Sequence, residues 1–204
     1  MNYLGHLYLS QNNHSLMMAN LFGDFFKGSN YGILPEIVKN GVKLHRSIDD
    51  YIDNHKISRN LIRKLYTDLP KIASVALDLF FDHLLAKTWS NYSNENLDEF
   101  VTSFFKYALN NQNQVFENYR YPDEFINLLR VISNNNWLTR YSKIEGLEFA
   151  CNGLSKRINF RNNLNNAPAV FMNNEDLITN AFHEFMYEAI QKFKLHQFNQ
   201  INES

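Results

Sequence analysis

Leu77-Asp78-Leu79-Phe80-Phe81-Asp82-His83-Leu84-Leu85-Ala86-Lys87-Thr88-Trp89 is the stretch on which the reading of this chain turns. At 3.6 residues per turn, Asp78 and Asp82 share one helix face, and His83 lies about 100° further round. Apolar residues fill nearly every other side, and a helix apolar all round runs through a core. Two carboxylates and an imidazole in a core are costly unless something neutralises them. A divalent metal does so directly; a buried hydrogen-bond network is the competing reading. A second cluster, His45-Arg46-Ser47-Ile48-Asp49-Asp50, repeats the pattern with His45 and Asp49 at i, i+4. Taken alone, that cluster is equally an exposed helix with ordinary i, i+4 pairs.

Outward from these two segments the periodicity stays helical. Ser15 is a candidate cap for a helix through Asn20 and Phe22 that ends near Gly28. Pro35 opens a helix from Glu36 to about Asp53. Residues 57–68 read as amphipathic, with Leu61, Ile62, Leu65 and Tyr66 inward and Arg59, Arg63 and Lys64 outward. The central helix covers about 71–90, followed by helical stretches over 95–120 and from Pro122 to Arg130. Residues 137–156 predict a short helix, a break near Gly146 and another helix. Residues 162–174 are a loop or short helix, and 175–198 a terminal helix. No alternating strands, internal repeats or long linkers interrupt this pattern. The expectation is an all-α helical bundle of seven to nine helices, one domain over residues 1–204.

Composition narrows the function classes. Seventeen Phe and eleven Tyr among 204 residues support a folded core. A net charge of −1 argues against a general nucleic-acid binder, though not against a local basic patch. The lone cysteine, Cys151, excludes an internal disulfide and fits a cytoplasmic protein. The first residues do not resemble a typical signal peptide, and no window reaches the ~20 apolar residues of a membrane span. With 30 asparagines in the chain, a single Asn carries little weight as a signal.

Metals of intermediate hardness take imidazole and carboxylate together. Such ions polarise phosphoryl groups and acidify bound water. The candidate ligands are His6, Asp24, His45, Asp49, Asp50, Asp78, Asp82 and His83. They come from four segments within the first 83 residues, and facing helices of a bundle are where such segments converge. Arg46 is a candidate for stabilising phosphoryl charge, because a guanidinium fork matches phosphate oxygens. P-loop, dinucleotide and zinc-protease patterns are absent. Basic residues recur as two strips, Lys156-Arg157 with Arg161, and Arg59 with Arg63-Lys64. They are either solvated faces or a docking surface for an acidic partner.

The residues together resemble one family. Asn2-Tyr3-Leu4-Gly5-His6-Leu7-Tyr8-Leu9, Asn20-Leu21-Phe22-Gly23-Asp24-Phe25 and His45-Arg46-Ser47-Ile48-Asp49 are similar, in order, to segments of the acyl carrier protein phosphodiesterases. So are Leu77–Leu85 with Trp89-Ser90, Trp137-Leu138-Thr139-Arg140-Tyr141 and Asn152-Gly153-Leu154-Ser155-Lys156-Arg157. Gly5 stands where the family often has Ala. The resemblance implies an HD-like metal-dependent phosphohydrolase that removes 4′-phosphopantetheine from holo-acyl carrier protein, with manganese as the usual metal. It implies Asp24, His45, Asp82 and His83 as principal ligands, with His6, Asp49 and Asp78 as additional or outer ones. It also implies an acidic carrier docking on a basic strip, Lys156, Arg157 and Arg161 ahead of Arg59, Arg63 and Lys64. Two alternatives stay open: an HD-like phosphohydrolase of a nucleotide or other small phosphoester, and a helical binding protein whose polar core is structural.

Overall fold

The structure is a computed structural model, and it describes residues 1–112 and 119–195. Its elements are helical: α1 (Tyr3–Tyr8), α2 (His14–Leu21), α3 (Glu36–Asn54), α4 (Lys56–Leu65), α5 (Ala73–Lys87) and α6 (Leu97–Asn110). They continue with α7 (Asp123–Asn134), α8 (Trp137–Arg140), α9 (Ile144–Ser155), α10 (Ala167–Asn173) and α11 (Glu175–Ile190). Short 3-10 turns, including Phe22–Asp24, join some of them. The all-α expectation holds.

The central helix is α5, which packs against α1, α4, α9 and α11. Phe80, Phe81, Leu85 and Ala76 are completely buried on it. Each large side chain so buried contributes roughly 2–3 kcal/mol at about 25 cal/mol per Å². Helix α2 lies along α3 at unusually short range, because Gly41 faces Ala19. A Cβ at Gly41 would sit 2.2 Å from the Ala19 Cβ and 2.7 Å from the Asn20 amide nitrogen. That contact brings the last turn of α2 onto α3 about one turn before His45.

Several boundaries differ from expectation for local reasons. Asn13 rather than Ser15 caps α2, its side chain accepting from the Leu16 N–H at 3.0 Å. Tyr66 is 53% exposed, because α4 ends at Leu65 and the chain turns before Tyr66 can pack inward. The break between α8 and α9 falls at residues 141–143, and Gly146 sits inside α9. A Cβ at Gly146 would meet the Arg140 carbonyl oxygen at 2.0 Å, so the glycine marks close packing rather than a break. Eleven α-helices form among the described residues, more than expected, since α1, α8 and α10 are short. The expected helical stretches over 95–120 and 175–198 extend partly outside the described residues.

Candidate metal centre

Four elements supply a polar cluster at a cavity of about 280 Å³. His6 comes from α1, Asn20 from the last turn of α2, Asp24 from the 3-10 turn that follows, and His45 and Asp49 from successive turns of α3. Gly23 allows the turn to approach: a Cβ there would lie 2.3 Å from Cγ of His45.

The imidazoles of His6 and His45 stack, with centroids 4.2 Å apart and planes 18° from parallel. Both turn Nδ1 toward Oδ1 of Asn20, at 2.9 Å from His6 and 3.2 Å from His45. One amide oxygen has two lone pairs and accepts both N–H groups. The amide is itself fixed, since its Nδ2 donates to the His6 carbonyl at 3.2 Å and to Ser10 Oγ at 2.9 Å. The Ser10 hydroxyl closes the loop by donating to the same carbonyl at 2.7 Å. Asn20 and Ser10 are completely buried. Outer hydrogen bonds of this kind hold a histidine in one tautomer and orientation for a metal.

With Nδ1 committed, each Nε2 faces carboxylate. His6 Nε2 lies 3.1 Å from Asp49 Oδ1, and His45 Nε2 lies 3.1 Å from Asp49 Oδ2 and 3.3 Å from Asp24 Oδ1. Burial alone would depress the His45 pKa, but Asp24 and Asp49 outweigh it and push it up to about 9. His6 moves the other way: burial depresses it, the charge on His45 adds to that, and Asp49 offsets only part. Burial would raise Asp49, yet the two imidazoles hold it far below the usual carboxylate range. Asp24 is likewise lowered, its contact with His45 outweighing its burial. Without metal, the site therefore carries one proton shared between His45 and two carboxylates.

Donor atoms of His6, His45 and Asp49 lie within 4.8 Å of one another, close enough for one ion to be reached by all three. Asp24 adds a carboxylate at the exposed side, and Asp53 and Asp78 also line the cavity. Two neutral imidazole nitrogens with carboxylate oxygens fit a divalent ion of intermediate hardness. The acids also leave the cavity short of positive charge unless a cation is present.

The structure does not bring Asp82 and His83, expected as ligands, into this cluster or the lining of its cavity. Asp82 is completely buried, and its two oxygens accept the N–H groups of Leu4 at 2.8 Å and Gly5 at 3.0 Å. It thereby supplies the acceptor at the N-terminus of α1, where no side-chain cap comes from Asn2. Burial pushes its pKa up to about 7 against those hydrogen bonds. His83 turns to the other side of α5, its Nδ1–H donating to the Tyr141 carbonyl at 2.6 Å, with Phe171 edge-on at 4.9 Å. Asp78 accepts from the Met1 amino group at 2.9 Å. The polar residues of α5 thus anchor the segments around the site.

Arg46 is also placed differently. Its guanidinium donates to the Tyr31 hydroxyl, to the Phe26 carbonyl at 3.0 Å and to the Gly28 carbonyl at 2.8 Å, so it pins the loop after Asp24. Lys156, Arg157 and Arg161 are exposed beyond α9, and Arg59, Arg63 and Lys64 are exposed on α4. Among the described residues none of these six forms an ion pair with a carboxylate.

Asn20 is the buried residue of the cluster that sequence reasoning missed. Its signal was a single amide in the apolar run Met17-Met18-Ala19-Asn20-Leu21-Phe22, obscured by the abundance of asparagine elsewhere.

Comparison with known proteins matches the sequence to one family. The family model described as acyl carrier protein phosphodiesterase matches residues 1–189. An acyl carrier protein phosphodiesterase of Klebsiella pneumoniae strain 342 is 30% identical over 158 residues, covering 77% of this chain and 79% of the relative. Those of Escherichia coli O139:H28 and of Escherichia coli K12 DH10B are each 31% identical over the same shares. No solved structure matches the chain. With the match running from α1 into the last turn of α11 and taking in every residue of the cluster, the chain belongs to the acyl carrier protein phosphodiesterase family.

Proposed function

We propose that this chain hydrolyses the phosphodiester of holo-acyl carrier protein, releasing 4′-phosphopantetheine and leaving the apo form. The observation that supports it is the family match over residues 1–189 together with His6, His45, Asp49 and Asp24 converging on one cavity. The proposed ligands are those four residues, and manganese is the proposed ion, in keeping with a mixed nitrogen and oxygen donor set.

A divalent ion at this site supplies polarisation of the phosphoryl oxygens and acidification of water. The chain's own contribution is positioning. Asn20 holds both imidazoles with Nε2 toward the cavity, and Asp49 spans them. Asp82 secures the helix that carries His6. In the reaction, a water oxygen bonds to phosphorus, the bond from phosphorus to the serine oxygen of the carrier breaks, and that oxygen takes a proton.

The acidic carrier is proposed to dock at Lys156, Arg157 and Arg161. Lys156 and Arg157 line a pocket that adjoins the metal cavity, whereas Arg59, Arg63 and Lys64 line neither. Among the described residues no helix is long and apolar enough to cross a membrane. The cytoplasm is the proposed compartment, where the lone buried Cys151 stays reduced.

The direct test is incubation of holo-carrier protein with the purified chain and Mn²⁺, followed by mass measurement of the carrier. Loss of the phosphopantetheine group is expected. A carrier of unchanged mass under conditions where the protein is folded and metal-loaded overturns the reading.

A further inference from the structure

A second pocket, of about 410 Å³, opens beside the metal cavity, and Asn2, Tyr3, Leu79 and Leu154 line both. Its volume falls within the ~300–1,000 Å³ of small-molecule sites. Its far wall is aromatic: Trp137 and Phe149 pack edge to face at 5.8 Å. Phe149 is 46% exposed, although it is a large apolar side chain in a helix with ample core to join. Arg140 lies over that ring at 5.3 Å.

Two further features mark the pocket as built for a ligand. The indole N–H of Trp137 is buried with no hydrogen-bond partner, and buried donors are ordinarily satisfied. Lys156 and Arg157 stand at the rim without a carboxylate partner among the described residues. The Arg157 charge reaches Tyr3 on the shared wall, where it opposes the rise that burial and Asp24 impose on the phenol. The junction of pocket and cavity therefore faces a cation from just after α9 and the acids from α3.

Resting on the phosphodiesterase reading above, we infer that this pocket seats the pantetheine arm of the substrate, with the phosphate held at the junction between Arg157 and the metal ligands. The chemistry fits in sequence along the arm. The phosphate meets the unpaired guanidinium, which matches phosphate oxygens bidentately. The branched carbons of the pantoyl unit lie against Phe149 and Trp137. The carrier serine stays at the mouth, beside Lys156 and Arg161, so the arm enters while the protein remains outside.

Gly153 provides the test. It lines the pocket, and a Cβ there meets nothing within 4 Å, so a side chain can be introduced on the pocket wall without a clash at its first atom. The full chain loaded with Mn²⁺ is titrated calorimetrically with 4′-phosphopantetheine and, separately, with inorganic phosphate. The wild type is expected to bind phosphopantetheine at least about tenfold more tightly than phosphate, the excess coming from the arm. Gly153→Phe should erase that excess. It should also lower selectivity for holo-carrier over bis(p-nitrophenyl) phosphate by about tenfold or more. Phe149→Ala, at an exposed position, should weaken the excess in the same direction and replaces Gly153→Phe if circular dichroism shows that variant unfolded. Equal binding of the two ligands by the wild type, or an undiminished excess in the folded variants, overturns the pocket assignment. If the excess is present and sensitive to Gly153 while holo-carrier is never cleaved, the phosphodiesterase reading fails and the arm pocket stands.

Discussion

Consider raising the pH of the metal-free protein from about 7.5 to about 8.5 while titrating it with Mn²⁺. His45 holds its proton up to about 9, against 6.5 for an ordinary histidine, because Asp24 and Asp49 flank its Nε2. A metal takes the Nε2 lone pair, so binding must expel that proton. Each pH unit below the pKa adds about 1.36 kcal/mol to the cost of expelling it. The apparent affinity should therefore rise about eightfold across this interval, and one proton should be released per ion at its lower end. A histidine titrating at 6.5 would give almost no change over the same interval. His6 adds nothing, since burial depresses its pKa and it is already neutral. Asp82 is pushed up to about 7 and has largely ionised by the start of the window. Calorimetry in two buffers of different ionisation enthalpy counts the proton directly. The stability of the metal-free fold moves oppositely. A histidine whose pKa is raised by folding contributes stability that is complete below about 6.5 and lost as pH rises through about 9. Metal-induced stabilisation should then grow with pH. An affinity that changes less than twofold between about pH 7.5 and 8.5, with no proton released, would mean that the imidazole of His45 is not displaced from its carboxylates by the ion.

Further substitutions probe the same architecture. Asn20→Ala removes the acceptor of both imidazole Nδ1–H groups and should weaken metal affinity by about 10–100-fold, as loss of an outer-shell partner does; affinity within a factor of two of wild type would count against the orienting role. Asp82→Ala leaves the N–H groups of Leu4 and Gly5 buried without an acceptor, at about 1–3 kcal/mol each. Its melting temperature should fall by roughly 4–24 °C at ~2–4 °C per kcal/mol, whereas unchanged stability with lost metal would return Asp82 to the ligand set. Charge reversal of Lys156, Arg157 and Arg161 together should raise the KM for holo-carrier and flatten its salt dependence, because screening acts over ~8 Å at physiological ionic strength. If reversal at Arg59, Arg63 and Lys64 produces that effect instead, docking lies on α4.

The fold was legible because helical periodicity is local: Pro35, the amphipathic 57–68 segment and the apolar α5 each announce themselves within a few turns. The differences between expectation and structure share a cause in longer-range geometry. Asp82 and His83 stand on an apolar helix with the composition of a metal site, and the reasoning that buried charge needs a partner was sound. What the sequence leaves open is which partner. Asp82 found two backbone N–H groups 77 and 78 residues away at the start of α1, and His83 found a carbonyl 58 residues away. Arg46 beside His45 looks like a phosphate ligand until the loop of residues 26–31 folds over and takes its donors. Conversely, His6 and Asp49 read as outer candidates, yet they meet at 3.1 Å, because Gly41 lets α2 press against α3 and Asp82 fixes where α1 begins. The site is thus specified less by the residues that look catalytic than by a glycine, an asparagine and a capping aspartate. The order of dependence can be tested: Gly41→Ala must separate α2 from α3 to relieve a 2.2 Å contact. It should therefore loosen Asn20 from His45 and lower metal affinity, with no change in any group near the ion.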